Sequence, residues 1–223
     1  MTADEFKEIL RKGSNKAKEE AVSNVTPELE IFNILIELLK DSKYCNRFFA
    51  IYHLIDKFSK FLENTNEVVI NTIYESLFDD FPPVVDRTIW ALSIIGDKAL
   101  AKLIKEYYSS TESNKIKIIL AIGRGNFTQR TKDRIQVLLD GIKSKNDNLR
   151  FHAMGEIISN TQSTFGDKQQ SIDLESIHIK VLPVAKEFTE SEDDYIKDVS
   201  TQYINWVEKN YNRIYNNANL DLN

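Results

Sequence analysis

The chain has 223 residues, 42% hydrophobic and 28% charged, with a net charge of −5. This suits a folded protein with a sizeable core and excludes disordered, collagenous and disulfide-rich classes. The net negative charge argues against a dedicated nucleic-acid binder, and seven Gly and four Pro are too few for an all-β protein built on tight turns.

Apolar residues recur at helical spacing almost throughout, so the chain reads as all-α. Ala3–Arg11 is a short helix closed by Gly13. Its MTADEFKEIL start has no basic region and no long apolar run, so no signal peptide is expected. Residues 14–25 are polar, with a helical pattern at 15–22, and 1–25 is read as an N-terminal helix and linker. Thr26-Pro27-Glu28 supplies an N-cap, a first-turn proline and an acid for a helix reaching about Lys40. Ser42 opens a helix through Leu62, ended by Asn64-Thr65-Asn66. It carries Cys45, the only cysteine. That leaves no internal disulfide or cysteine zinc cage and fits a reducing, cytoplasmic setting.

Helices then come in pairs. Glu67–Phe78 precedes Val84–Ile95, with Phe81-Pro82-Pro83 between them and Gly96 as the stop. Lys98–Tyr108 precedes Ser113–Ile122, and the Gly-Arg-Gly at 123–125 reads as a C-cap turn. Gln129–Lys143 precedes Asp147–Ser159, and Leu174–Phe188 precedes Asp193–Lys209. Asn160–Asp173 reads as an inserted loop and 210–223 as a C-terminal tail. No run of about 18 apolar residues occurs, so no membrane span is expected.

The second helices can be overlaid. Each of three has a cation followed three residues later by a small residue: Arg47/Ala50, Arg150/Ala153 and Lys197/Ser200. The helix ending ALSIIG and the one ending AIGRG also carry small residues, which let neighbouring helices approach closely. Residues 181–200, VLPVAKEFTESEDDYIKDVS, resemble one unit of the HEAT-repeat family. Leu182-Pro183 matches the kinked first helix, Asp193 the turn acid, and Ile196-Lys197 with Ser200 the second helix. Aligned positions Arg47, Val85, Lys115, Arg150 and Lys197 lie 38, 30, 35 and 47 residues apart, around or below the usual repeat length. The resemblance implies a right-handed α-solenoid of about five HEAT-like helix pairs over 26–209, preceded by the short N-terminal helix. Leu174–Phe188 is then one helix, bent at Pro183, with the lost backbone bond on its wetter side.

No catalytic constellation is found, so the protein is read as a non-enzyme without metal or cofactor. His53, His152 and His178 lie far apart and fit helix faces or repeat seams, and Cys45 reads as a packed thiol. One enzyme class resembles HEAT repeats: the DNA alkylation-repair glycosylases, which use an Asp and Trp residues on the concave face. Asp86 and Trp90 are similar but stand in the opposite order, and Trp206 lies three repeats away.

The main reading is a solenoid that binds another protein along its concave face, as an adaptor or an inhibitor of immunity type. Candidate contacts are the second-helix positions opposite the apolar stripe: Asp86, Trp90, Lys117, Arg124, His152, Glu156, Asp198, Gln202 and Asn205. The alternative rests on charge placement. Six acids and no base lie between Glu63 and Asp86, whereas nine bases against three acids lie between Lys115 and Arg150. In that reading Arg124, Arg130, Lys132, Arg134, Lys143 and Lys145 of the 115–150 segment meet nucleic-acid phosphates.

Overall fold

The computed structural model describes residues 2–127, 130–163 and 173–211. Among these there are thirteen α-helices, one 3-10 turn and no strand. The expected loop at 160–173 is corrected at its start, where residues 160–163 continue the helix Asp147–Ser163, with Asn160 and Thr161 buried; residues 164–172 and the tail beyond residue 211 lie outside the described residues.

Two packed units hold the helices: Met1–Lys102 with Gly125–Gln129, and Leu103–Arg124 with Arg130–Asn223. In the first, α1 (Ala3–Lys12) packs on α2 (Asn15–Asn24) and on α3 (Leu29–Leu38). Next come α4 (Tyr44–Asp56), the short α5 (Ser59–Glu63), and α6 (Glu67–Glu75) with its 3-10 turn Ser76–Phe78. α7 (Pro82–Ile95) lies against α4, α5 and α6. α8 (Asp97–Ser109) starts in the first unit and ends in the second. The second unit continues with α9 (Glu112–Arg124), α10 (Thr131–Gly141), α11 (Asp147–Ser163), α12 (Leu174–Phe188) and α13 (Asp194–Asn210). Here α11 packs on α9 and α10, and α12 on α13.

Local chemistry sets the helix starts. Thr2 and Glu5 close a capping box on α1. The side chains of Ser14, Asn66, Asp173 and Asp193 accept backbone amides at the starts of α2, α6, α12 and α13. α12 is continuous through Pro183. A proline deprives the carbonyl four residues earlier of its bond. That residue is Ile179, 52% exposed, and Pro183 is itself exposed, so water can satisfy the carbonyl.

The small residues of the second helices, Ala50, Ala91, Ala121, Ala153 and Ser200, are all fully buried. Around them the first unit buries Phe32, Leu35, Leu54, Phe58 and Leu92, and the second buries Ile118, Ile122, Leu138, Met154, Val181 and Val207. Each such large side chain contributes roughly 1.5–3 kcal/mol when removed from water. Polar ties repeat at the length of one helix pair, 30 to 37 residues apart. Lys7–Glu37, Lys40–Glu75 and Arg47–Asp79 lie in the first unit. Tyr108–Asp140, Ser144–Glu112, Arg124–Glu156 and Arg150–Glu187 lie in the second.

Three further boundaries differ from the sequence reading. α3 begins at Leu29 with extended Glu28 as N-cap, so Thr26 and Pro27 precede the helix; nothing in the structure explains the offset. The helix expected from Ser42 to Leu62 breaks at Lys57-Phe58. There the Lys57 ammonium donates to the Val22 and Ser23 carbonyls at the end of α2. Phe58 turns inward to full burial beside Phe32 and Phe61. α9 does end within the Gly-Arg-Gly, at Arg124 and two residues later than expected, and Gly123 lies in its last turn. A Cβ there would come within 2.4–2.5 Å of the Glu156 side chain, so this glycine serves a close helix approach.

Candidate functional site

α4 is amphipathic in an unusual way. Its inward face buries Asn46, Phe49, Ala50, His53 and Leu54. Its outward face repeats aromatics every four residues, Tyr44, Phe48 and Tyr52, which places them one above the other. Phe81, just ahead of α7, packs against this stripe, 4.5 Å from the Tyr44 ring and 6.4 Å from the Phe48 ring between centroids. From α7, the Arg87 guanidinium stands 5.7 Å over Tyr52 and 5.1 Å over Trp90. The result is a continuous line within the first unit: Tyr44, Phe81, Phe48, Tyr52, Arg87, Trp90. Tyr44 is 55% exposed, Tyr52 40% and Trp90 58%.

A clamp behind the line holds Phe81 in place. Arg47 donates from Nε and Nη2 to both Asp79 oxygens, at 2.6 and 2.9 Å, and from Nη2 to Asp80 at 2.6 Å. The Phe81 amide donates to Asp79 Oδ1 at 2.8 Å. Burial pushes the Asp79 carboxyl up, but the Arg47 guanidinium and the Phe81 amide outweigh it, and its pKa falls below the usual range. Pro82 and Pro83 then start α7 at positions where a missing N–H costs nothing.

Beside the line lies a groove of about 340 Å3, lined by Tyr44, Phe48, Tyr52, Phe81 and Glu19 among others. Cys45 also lines it and is exposed, not the packed thiol expected from sequence. Behind it, the buried Lys18 donates to Asn46 Oδ1. His53 Nε2 lies 3.3 Å from Glu19 Oε2. Burial lowers the His53 pKa although Glu19 opposes the shift.

The second unit uses its second helices differently. Arg124 Nε donates to Glu156 Oε1 at 3.1 Å. Glu156 is buried, and that burial raises its pKa against the pull of Arg124. Arg134 of α10 is 1% exposed and donates to the Ile122 carbonyl at 3.0 and 3.2 Å and to the Gly123 carbonyl at 3.4 Å. Asn160 Nδ2 adds a bond to the Gly123 carbonyl at 3.0 Å. A cation and an amide thus satisfy the end of α9, where the helix dipole is negative. Burial lowers the Arg134 pKa to about 10, which keeps it protonated at neutral pH.

The nine sequence-derived positions separate accordingly. Asp86 and Trp90 are exposed at the aromatic line. Glu156 is not on an open face, because the glycine opposite it draws the two helices together. Arg124 is exposed but ion-paired, and Lys117 and His152 are half-buried. Asp198, Gln202 and Asn205 are exposed on α13, with Gln202 donating to Asp198 at 2.7 Å. Of the basic segment, Lys132 and Lys145 are exposed, but most of its other cations are engaged within the protein. Arg134 is buried, while Lys115, Arg124, Arg130, Lys143 and Arg150 face Glu112, Glu156, Asp133, Asp140 and Asp147. Tyr44, Phe48, Tyr52, Phe81 and Arg87 are absent from the sequence-derived set. Their signal is the aromatic recurrence in YCNRFFAIY, which also reads as a core stripe.

No protein-family model matches the sequence, and no curated protein matches it either. Among solved structures, the chain is similar to a chain in the structure of Kap95p binding RanGDP, which concerns nuclear import complex assembly. The TM-score is 0.68 at 12% identity, covering 96% of this chain but only 30% of that one. An engineered protein follows at a TM-score of 0.44 and 12% identity, covering 90% of this chain and 94% of the other. A designed armadillo repeat protein follows at 0.43 and 13%, covering 90% and 97%. At such identities the likeness is one of fold. The chain has an all-α, HEAT/armadillo-like helical-repeat fold of the α-solenoid class. Among the described residues no helix is long and apolar enough to cross a membrane, and no His, Cys, Asp or Glu side chains gather into a metal site.

Proposed function

We propose that the protein is a helical-repeat module that binds another protein, and that the aromatic line of the first unit is the surface it binds with. The carrying observation is the exposure of Tyr44, Tyr52 and Trp90 in one connected row with Arg87. Exposed contiguous apolar surface marks interaction sites, and Tyr, Trp and Arg are the residues that dominate binding energy in protein interfaces. Phe81 is held from behind by the Arg47–Asp79 clamp, which lowers the ordering cost of binding at that end of the line. Such a module acts as an adaptor in a complex, or as an inhibitor that occupies its partner.

The test is affinity capture from native extract with the full chain and with a Tyr44→Ala/Tyr52→Ala/Trp90→Ala variant, read by quantitative mass spectrometry. Each substitution removes ring contacts worth about 0.5–1.5 kcal/mol, so the variant is first checked for native helix content by circular dichroism. A partner stoichiometric with the unaltered chain and absent from the variant is the expected result. A partner that the variant retains in full overturns the reading.

A further inference from the structure

Resting on that reading, we propose that the groove beside Tyr44, Phe48 and Tyr52 receives a lysine or arginine side chain of the partner protein. The groove's lining has one carboxylate, Glu19, and no Lys or Arg. Aromatic faces carry a negative quadrupole and attract cations. The chain already makes this contact with itself, since Arg87 lies over Tyr52 and Trp90 in the same line. Tyr52, the one of these two rings that lines the groove, therefore accepts a guanidinium in the geometry it holds.

Exposed carboxylates flank the groove, while three nearby cations are already engaged: Lys18 on Asn46, Arg47 on Asp79 and Asp80, and Arg87 over Tyr52 and Trp90. The Glu19 side chain is 59% exposed, and its neighbour His53 is buried and kept neutral at pH 7 by that burial. Glu19 is thus not neutralised by the imidazole. Asp86 is exposed one helical turn before Trp90. Asp80, at the turn ahead of Phe81, is almost fully exposed even though it pairs with Arg47. A volume of about 340 Å3 lies at the small end of the roughly 300–1,000 Å3 typical of ligand sites, which suits one side chain and not a helix.

A displayed library of random short peptides, selected on the full chain and counter-selected on a Tyr44→Ala/Tyr52→Ala variant, tests the assignment. Groove-dependent peptides should carry Lys or Arg at one fixed position. Replacing that residue in a synthetic peptide by its neutral analogue, acetyl-lysine or citrulline, should weaken binding roughly tenfold, and Glu19→Gln should weaken it comparably. Groove-dependent peptides enriched in apolar or acidic residues, or unaffected by the neutral analogue, overturn the cation assignment and leave the protein-binding reading standing. A library that yields no groove-dependent peptide overturns the cation assignment, while the protein-binding reading is decided by the affinity capture.

Discussion

The second helices of the two units start from one design and end in opposite surfaces. In the first unit, the polar tie from Arg47 sits at the turn ahead of α7, and the outward face of α4 is left to aromatic rings. In the second, the corresponding polar groups are drawn between helices. Gly123 lets Glu156 approach α9, Arg124 pairs with Glu156, and Arg134 closes the end of α9 from within. One face uses its side chains to present rings, the other to hold its own helices. Sequence charge alone suggests the reverse, since the second unit contains the basic cluster that looks like a binding surface.

That contrast breaks most visibly at Arg134. Arg134→Ala leaves the buried Ile122 carbonyl unsatisfied, removes one of two donors to the Gly123 carbonyl and opens a cavity, and should cost about 3–5 kcal/mol by denaturant unfolding. Binding measured on the folded fraction should not change. If the variant is as stable as the parent, the second unit's network is not structural. A second way to probe that unit is pH. Burial holds His178 at a pKa of about 4, against an ordinary value near 6.5. The unfolded chain therefore binds this proton first as pH falls. Stability is full above about pH 6.5, declines between there and pH 4, and is lower by roughly 3 kcal/mol beneath that window. An NMR titration showing the His178 imidazole with a midpoint near 6.5 would remove this contribution. Smaller again is Ala153→Leu, which drives extra carbons towards Gly141, where even an added Cβ would lie 2.7 Å from the Ala153 Cβ. Overpacking of this kind should lower stability by about 1–3 kcal/mol, and an unchanged melting temperature would mean the helix approach at Gly141 is loose.

The paired helices are legible in the sequence because apolar spacing and small residues are local signals. Leu174–Phe188 is delimited correctly even across Pro183, since the apolar positions keep their helical period on both sides. The Gly-Arg-Gly marks the end of α9, but the second role of Gly123, admitting a neighbour, is invisible until Glu156 is placed opposite it. The break at Phe58 depends on Lys57 reaching α2, a contact 34–35 residues away that no local pattern encodes. Asp86 and Trp90 follow from helix phase. Tyr44, Phe48 and Tyr52 do not, because in a helix that also carries Phe49 and Leu54 the sequence does not show which apolar stripe meets water. The basic segment fails as a site for the complementary reason. Its charges are real, but Glu156 and Glu187 meet Arg124 and Arg150 only once the helices pack.

The most direct test of the aromatic line is oxidative footprinting of the captured complex against the free chain, because both units carry exposed rings. Tyr108 and Tyr195 of the second unit are 57% and 68% exposed and serve as internal controls. Tyr44, Tyr52 and Trp90 should lose most of their reactivity on partner binding while Tyr108 and Tyr195 keep theirs. Protection of Tyr108 and Tyr195 with Tyr44, Tyr52 and Trp90 still fully reactive would place the partner on the second unit and contradict the assignment.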